Sequence, residues 1–191
     1  MTAHDPYRHA TELLRERLGG RRIDWALVAG SGLGGGFVAP KGGIGLAIEG
    51  QMALAELGLP APSVAGHGNS RVWGTIGTSF VCVQTGRLHP YEGHPIAVCT
   101  TPLAAMLGCG ARTAALTFAV GGLDPALRTG EVVLLRDQIA LFGPTPLVGP
   151  QFVDCSQLYP EALRQRVEVE VLYDDKARAA IASLGGLLRF R

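Results

Sequence analysis

Ten consecutive residues, Gly86-Arg87-Leu88-His89-Pro90-Tyr91-Glu92-Gly93-His94-Pro95, hold one guanidinium, two imidazoles, a phenol and a carboxylate, although charged residues make up only 17% of the chain. Arg87 and His89 lie two apart, so in extended backbone their side chains fall on one side. Arginine offers a planar fork of donors and histidine adds another, which suits the pair to gripping an oxyanion. Pro90 and Pro95 fix φ, and Gly86 and Gly93 admit conformations that other residues resist, so the stretch predicts a stiff polar loop. The competing reading is a solvated loop whose charges pair with one another.

A second candidate is Gly30-Ser31-Gly32-Leu33-Gly34-Gly35-Gly36, directly after the apolar run Trp25–Ala29. Its backbone N–H groups, with the Ser31 hydroxyl, could cradle a phosphate, and a tight turn without ligand is the plainer alternative. The spacing Gly30-x-Gly32-x-x-Gly35 also matches the dinucleotide-binding fingerprint, with Glu49 near the place of a ribose-binding acid. That fingerprint needs a helix from its third glycine. Gly36, Pro40, Gly42, Gly43 and Gly45 follow instead, and helix propagates poorly through such a composition. The expectation is therefore no nucleotide cofactor. His67, between Gly66 and Gly68, exposes an imidazole. If their loops converge, Ser31, His67, Arg87 and His89 would make a phosphate site without a metal. No His/Cys/Asp/Glu group has convincing metal spacing, and no Gly-x-Ser-x-Gly elbow is present. Asp137, beside Arg136, reads as half of a structural ion pair.

These loops need strands and helices to hold them. Asp5-Pro6 opens a helix carrying Tyr7, Ala10, Leu14 and Leu18 at helical spacing, stopped by Gly19-Gly20. Trp25–Ala29 reads as a buried parallel strand. Short strands are expected at Leu46–Glu49, Arg71–Ile76 and Ser79–Thr85, the last two joined by a turn at Gly77-Thr78. Ile96–Leu107 is a helix in spite of Pro102, Ala114–Phe118 a strand, and Val132–Leu135 another. Gly143 to Pro150 is a loop. Helices follow around Pro160–Val167 and Asp174–Leu184, with a last strand at Leu187–Phe190. Strands alternating with helices predict an α/β fold, a single domain over residues 1–191, with ligands at the strand ends. Its sheet is expected to be mixed and largely parallel, flanked by helices.

The 191 residues are 47% hydrophobic with a net charge of +1, which supports a real core and excludes a broad basic face for nucleic acid. Cys82, Cys99, Cys109 and Cys155 form no CxxC pair and are expected to be reduced and mostly buried. Residues 1–12 lack signal-peptide design and Ile96–Ala111 is too short and interrupted to span a bilayer. The expectation is a cytoplasmic protein with no membrane partner.

Five ordered segments resemble the trimeric, low-molecular-mass class of purine nucleoside phosphorylases. They are Gly30-Ser31-Gly32-Leu33-Gly34, Gly66-His67-Gly68, Gly86 through Gly93, Ala119-Val120-Gly121-Gly122-Leu123-Asp124-Pro125, and Gly130-Glu131-Val132 through Arg136-Asp137-Gln138-Ile139. Leu147-Val148-Gly149-Pro150 is similar too. The resemblance implies that Ser31, Arg87, His89 and the Ala119 backbone bind phosphate, with His67 close by. Tyr91 would meet the ribose, and Glu92 would orient the site, so His89 and Glu92 are the implied catalytic residues. The implied reaction is phosphorolysis of purine (deoxy)ribonucleosides to free base and (deoxy)ribose 1-phosphate, by a homo-oligomer, a trimer. Phe118 stands where the family usually has Asn. The family's later segments, which hold the purine, have no counterpart up to Arg191, so base-binding residues stay unassigned. A non-catalytic phosphate or sugar-phosphate binding remnant is the other expectation.

Overall fold

The computed structural model describes residues 5–30, 33–39, 43–61, 70–141, 143–150, 152–173 and 187–189. Ser31, His67 and the expected helix at 174–184 lie outside the described residues. The chain forms two compact units, one ending at Ala119 and the other starting at Val120.

In the first unit, helix α1 (Pro6–Arg17) starts as its sequence demands: the Asp5 carboxylate accepts the Tyr7 N–H at 3.0 Å, and Pro6 takes the first helical position. Strand β1 (Trp25–Val28) is the middle of a parallel trio, between β4 (Ser79–Gln84) and β5 (Thr113–Leu116). Beyond β4 the sheet turns antiparallel, through β3 (Ser70–Ile76) to β2 (Ala47–Ala53), giving the order β2-β3-β4-β1-β5. The sheet is mixed, as expected, with its parallel pairings confined to β4-β1-β5. Among the described strands β5 is an edge, held by β1 alone.

The pleat sorts side chains between two faces. Phe80 and Cys82 of β4, Ala26 and Val28 of β1, and Trp73 and Met52 pack against Ala10 and Leu14 of α1 and against Ala105, Met106 and Cys109 around helix α3 (Ile96–Gly108). Pro102 sits inside α3, fully buried, without ending the helix. On the opposite face, Val81 and Val83 are covered by Leu33, Phe37, Val38, Ile44 and Leu46 from the glycine-rich connection. That connection contains one helical turn, α2 (Gly34–Phe37), and then enters the antiparallel β2. Among the described residues this turn is the longest helix between β1 and β2, so the dinucleotide fingerprint lacks the helix it needs from its third glycine. Glu49 belongs to β2 and forms an ion pair with Arg21 at 2.7 Å.

The second unit has a parallel pair, β6 (Glu131–Val133) with β7 (Leu187–Arg189), and helix α4 (Glu161–Tyr173), which outlasts the expected Val167 end. Asp137 accepts the N–H of Gln138 at 2.8 Å instead of pairing with Arg136. All four cysteines are free; Cys82 and Cys109 are buried, Cys99 is partly buried and Cys155 is exposed.

One residue of the core escapes sequence reading. Arg71 of β3 is fully buried, and none of its guanidinium nitrogens has a hydrogen-bond partner among the described residues. Desolvation lowers it from 12.5 to about 10, a shift that the nearby Cys82 and Cys109 thiols only partly oppose. An unpaired buried charge destabilises a fold, whereas a straight apolar chain of similar volume does not. Arg71→Met is therefore expected to raise the unfolding free energy by at least about 1 kcal/mol, read as an upward shift of the urea midpoint. A lowered midpoint would mean that the guanidinium is paired in solution.

Candidate functional site

The carboxyl ends of the three parallel strands are level. Val28 stands opposite Gln84 on one side and opposite Leu116 on the other. The chain leaves β1 into the glycine loop, β4 into Gly86–Gly93, and β5 into Thr117–Ala119. In open α/β sheets a ligand binds outside the carboxyl ends of such strands. Both loops carrying the Arg87 and Ser31 candidates therefore start from one edge of one sheet.

Short-range contacts draw these exits together. The Gly30 N–H donates to Thr117 Oγ1 at 2.8 Å, and Arg87 Nη1 donates to the Thr117 carbonyl at 3.4 Å. A Cβ on Gly30 would stand 2.4 Å from that same carbonyl oxygen, so only glycine lets the loop lie this close to β5. At the other end of the loop, a Cβ on Gly34 would stand 2.0 Å from the carbonyl oxygen of Thr85, at the end of β4. The Thr85 hydroxyl is itself tied to Ser70, donating to its carbonyl at 3.0 Å. Buried Gln84 donates to the Gly86 carbonyl at 2.6 Å, fixing the peptide just before Arg87.

Within the polar loop, Leu88 is buried while Arg87 and His89 on either side are only partly so, as an extended segment requires. Pro90–Glu92 form a single 3-10 turn closed by Gly93, whose φ is 87°. That turn returns the Glu92 carboxylate to His89, where it accepts from the backbone N–H at 3.1 Å and from Nδ1 at 3.0 Å. A carboxylate only accepts, so Nδ1 carries the hydrogen. The Glu92 side chain is 1% exposed, and the His89 ring stacks on Tyr91 at 4.7 Å between centroids. Tyr91 itself is 71% exposed.

The two readings of this loop are thus both represented. Glu92 pairs inside the loop with His89, but Arg87 has no carboxylate partner among the described residues. A guanidinium held by a carbonyl and lacking a counter-ion retains its charge for an incoming anion. Burial, and then the Glu92 carboxylate, push the Cys99 thiol above its ordinary value, which disfavours a thiolate nucleophile behind the loop. Ala119 is exposed, two residues beyond Thr117. Thr117 and Gln84 were missed from sequence because each reads as an ordinary strand residue. The only hint was a polar side chain at or next to the end of an apolar run.

The sequence profile of the Phosphorylase superfamily matches residues 42–185. The chain belongs to that superfamily. Within it, this phosphorylase homologue is 37% identical over 158 residues to the purine nucleoside phosphorylase of Mycobacterium leprae, covering 83% of its own length and 58% of the relative's. The purine nucleoside phosphorylase of Bos taurus is 32% identical over 157 residues, with 76% and 52% covered. Among solved structures, Schistosoma mansoni purine nucleoside phosphorylase in complex with acetate superposes with a TM-score of 0.74 at 22% identity, over 98% of this chain and 67% of that one. Isoform 2 from the same organism, in complex with cytosine and ribose-1-phosphate, gives 0.72 at 25% identity, over 98% and 64%. The phosphorylase homologue thus spans 58% of the length of its mycobacterial relative. Among its described residues no helix is long and apolar enough to cross a membrane.

Proposed function

We propose that this chain binds inorganic phosphate at the carboxyl ends of β4, β1 and β5 and uses it to cleave purine (deoxy)ribonucleosides. The observation that carries the reading is Arg87, a guanidinium fixed at the level strand ends without a carboxylate partner among the described residues. Arg87 would grip the phosphate with His89, the Ala119 backbone, Ser31 and His67, while Glu92 holds the His89 ring. Tyr91, stacked on His89, would lie against the ribose.

A phosphate oxygen attacks C1′ as the C1′–N bond breaks; the bond's electron pair leaves with the purine, which takes up a proton, and (deoxy)ribose 1-phosphate remains. The sugar becomes oxocarbenium-like on the way, so a firmly placed anion beneath it stabilises the transition state. This chemistry asks the protein for placement and charge, and no covalent nucleophile. No organic cofactor is needed in this reading.

A second reading is favoured by exposed Phe118 at the β5 exit. In it the phosphate loops bind phosphate or a sugar phosphate without base release. Base release from inosine and guanosine, measured with and without phosphate, separates the two. Phosphate-dependent release is the expected result. A folded protein that binds phosphate and releases no base would establish the second reading, and one that binds no phosphate would sink both.

In the same proposal the protein is a single cytoplasmic domain, 1–191, that works as a homo-oligomer, a trimer by family likeness. Apolar side chains such as Leu123 and Phe152 are almost fully exposed, a surface that association would cover.

A further inference from the structure

Thr117 touches both candidate phosphate loops, and it does so with different groups. Its backbone N–H donates to the Val28 carbonyl at 2.9 Å, extending the β1–β5 pairing by one step. Its hydroxyl donates to the same carbonyl at 3.2 Å and accepts the Gly30 N–H at 2.8 Å. Its carbonyl receives Arg87 Nη1 at 3.4 Å. The hydroxyl thus passes a hydrogen bond from the end of β1 to the first residue of the glycine loop, while the carbonyl one bond along the chain steers the guanidinium.

We propose that Thr117 is a positioning residue for phosphate, fastening the glycine loop and Arg87 in one register so that their donors converge. The inference rests on the phosphate reading above and adds to it the residue that sets the spacing between the two loops. The physical ground is the close approach at this point. Gly30 lies so near the Thr117 backbone that a Cβ there would meet the carbonyl oxygen at 2.4 Å and the Phe118 Cα at 2.8 Å. Such proximity persists only while the Gly30 N–H has an acceptor, because a backbone donor turned towards the sheet end without one is costly. With the hydroxyl removed, the loop must lift to find water while Arg87 keeps its carbonyl contact, and the two sets of donors fall out of register. A hydroxyl is required, and the γ-methyl is not.

The test compares Thr117→Val, which replaces the hydroxyl by an isosteric methyl, with Thr117→Ser, which keeps it. Inorganic phosphate is titrated into each by calorimetry, and thermal unfolding is followed in parallel. Thr117→Val is expected to weaken phosphate binding about tenfold or more, the worth of one such hydrogen bond, while Thr117→Ser stays within about twofold of the parent. A merely structural role would lower the unfolding temperature and leave the affinity of the folded protein unchanged. That outcome would overturn the proposal while the phosphate site itself stood. Equal weakening in the serine variant would also overturn it, since the methyl and not the hydroxyl would then matter. If the valine variant does not fold, Thr117→Ala removes the hydroxyl without adding bulk and is compared with Thr117→Ser in the same way. Absence of phosphate binding by the parent protein would overturn the phosphate reading and this inference together.

Discussion

Arg87→Ala is expected to weaken phosphate binding by more than about a hundredfold, with little change in the unfolding temperature. Each charge-assisted hydrogen bond contributes about 1.5–3 kcal/mol, and a guanidinium commonly gives a phosphate two of them. Among the described residues Arg87 spends one donor on the protein, the 3.4 Å contact to the Thr117 carbonyl, and neutralises no carboxylate. Its removal therefore costs the ligand far more than the fold. Arg87→Lys should recover part of the loss, because charge returns without the planar fork. Calorimetric titration with phosphate checks both variants. An unchanged dissociation constant for Arg87→Ala would reduce Arg87 to a tie between β4 and β5 and would move the anion elsewhere.

The second large effect is expected at Gly34. Its Cβ position lies 2.0 Å from the Thr85 carbonyl oxygen and 2.9 Å from the Thr85 carbonyl carbon, both backbone atoms at the end of a central strand. No flexible side chain can yield there, so Gly34→Ala must push the loop away from β4. Overpacking of this kind costs about 1–3 kcal/mol, and here it also displaces the glycine loop from the anion. Stability and phosphate affinity are both expected to fall, the latter at least about tenfold. Gly35→Ala is the control, since a Cβ at the neighbouring position meets nothing within 4 Å. Equal losses at both positions would show that the loop needs glycine for its flexibility rather than for the close approach.

Much of this arrangement was legible in the sequence. Asp5-Pro6 announced α1, and the apolar runs at Trp25, Phe80 and Ala114 announced the parallel trio, because those elements depend on local capping and on burial that runs of hydrophobic residues report directly. The Arg87–His89 spacing announced a loop with both side chains on one side. Three things were out of reach, and for related reasons. The placement of β4 beside β1, and with it the strand order, is encoded by no periodicity, although the turn at Gly77-Thr78 already made β3 and β4 antiparallel. The buried Arg71 stands in a segment that reads as an ordinary strand, and its burial, with Cys82 and Cys109 nearby, is decided by residues distant in the chain. Thr117 gains its importance from residues 87 and 89 positions earlier in the chain, Gly30 and Val28. A sequence shows which groups could act; which of them share a hydrogen bond across such a separation is decided by the fold.

The edge position of β5 has a kinetic consequence. β1 and β4 are each held by strands on both sides, whereas β5 has only β1 among the described strands. A strand bound along one side opens locally at lower free energy than its doubly bound neighbours, and backbone amide exchange reports that difference. When β5 frays, Thr117 goes with it, and both loops lose their common anchor in a single event. An anion bridging Arg87 to the glycine loop would oppose that event. Occupancy of the site and the lifetime of the β1–β5 pairing are then two readings of one equilibrium.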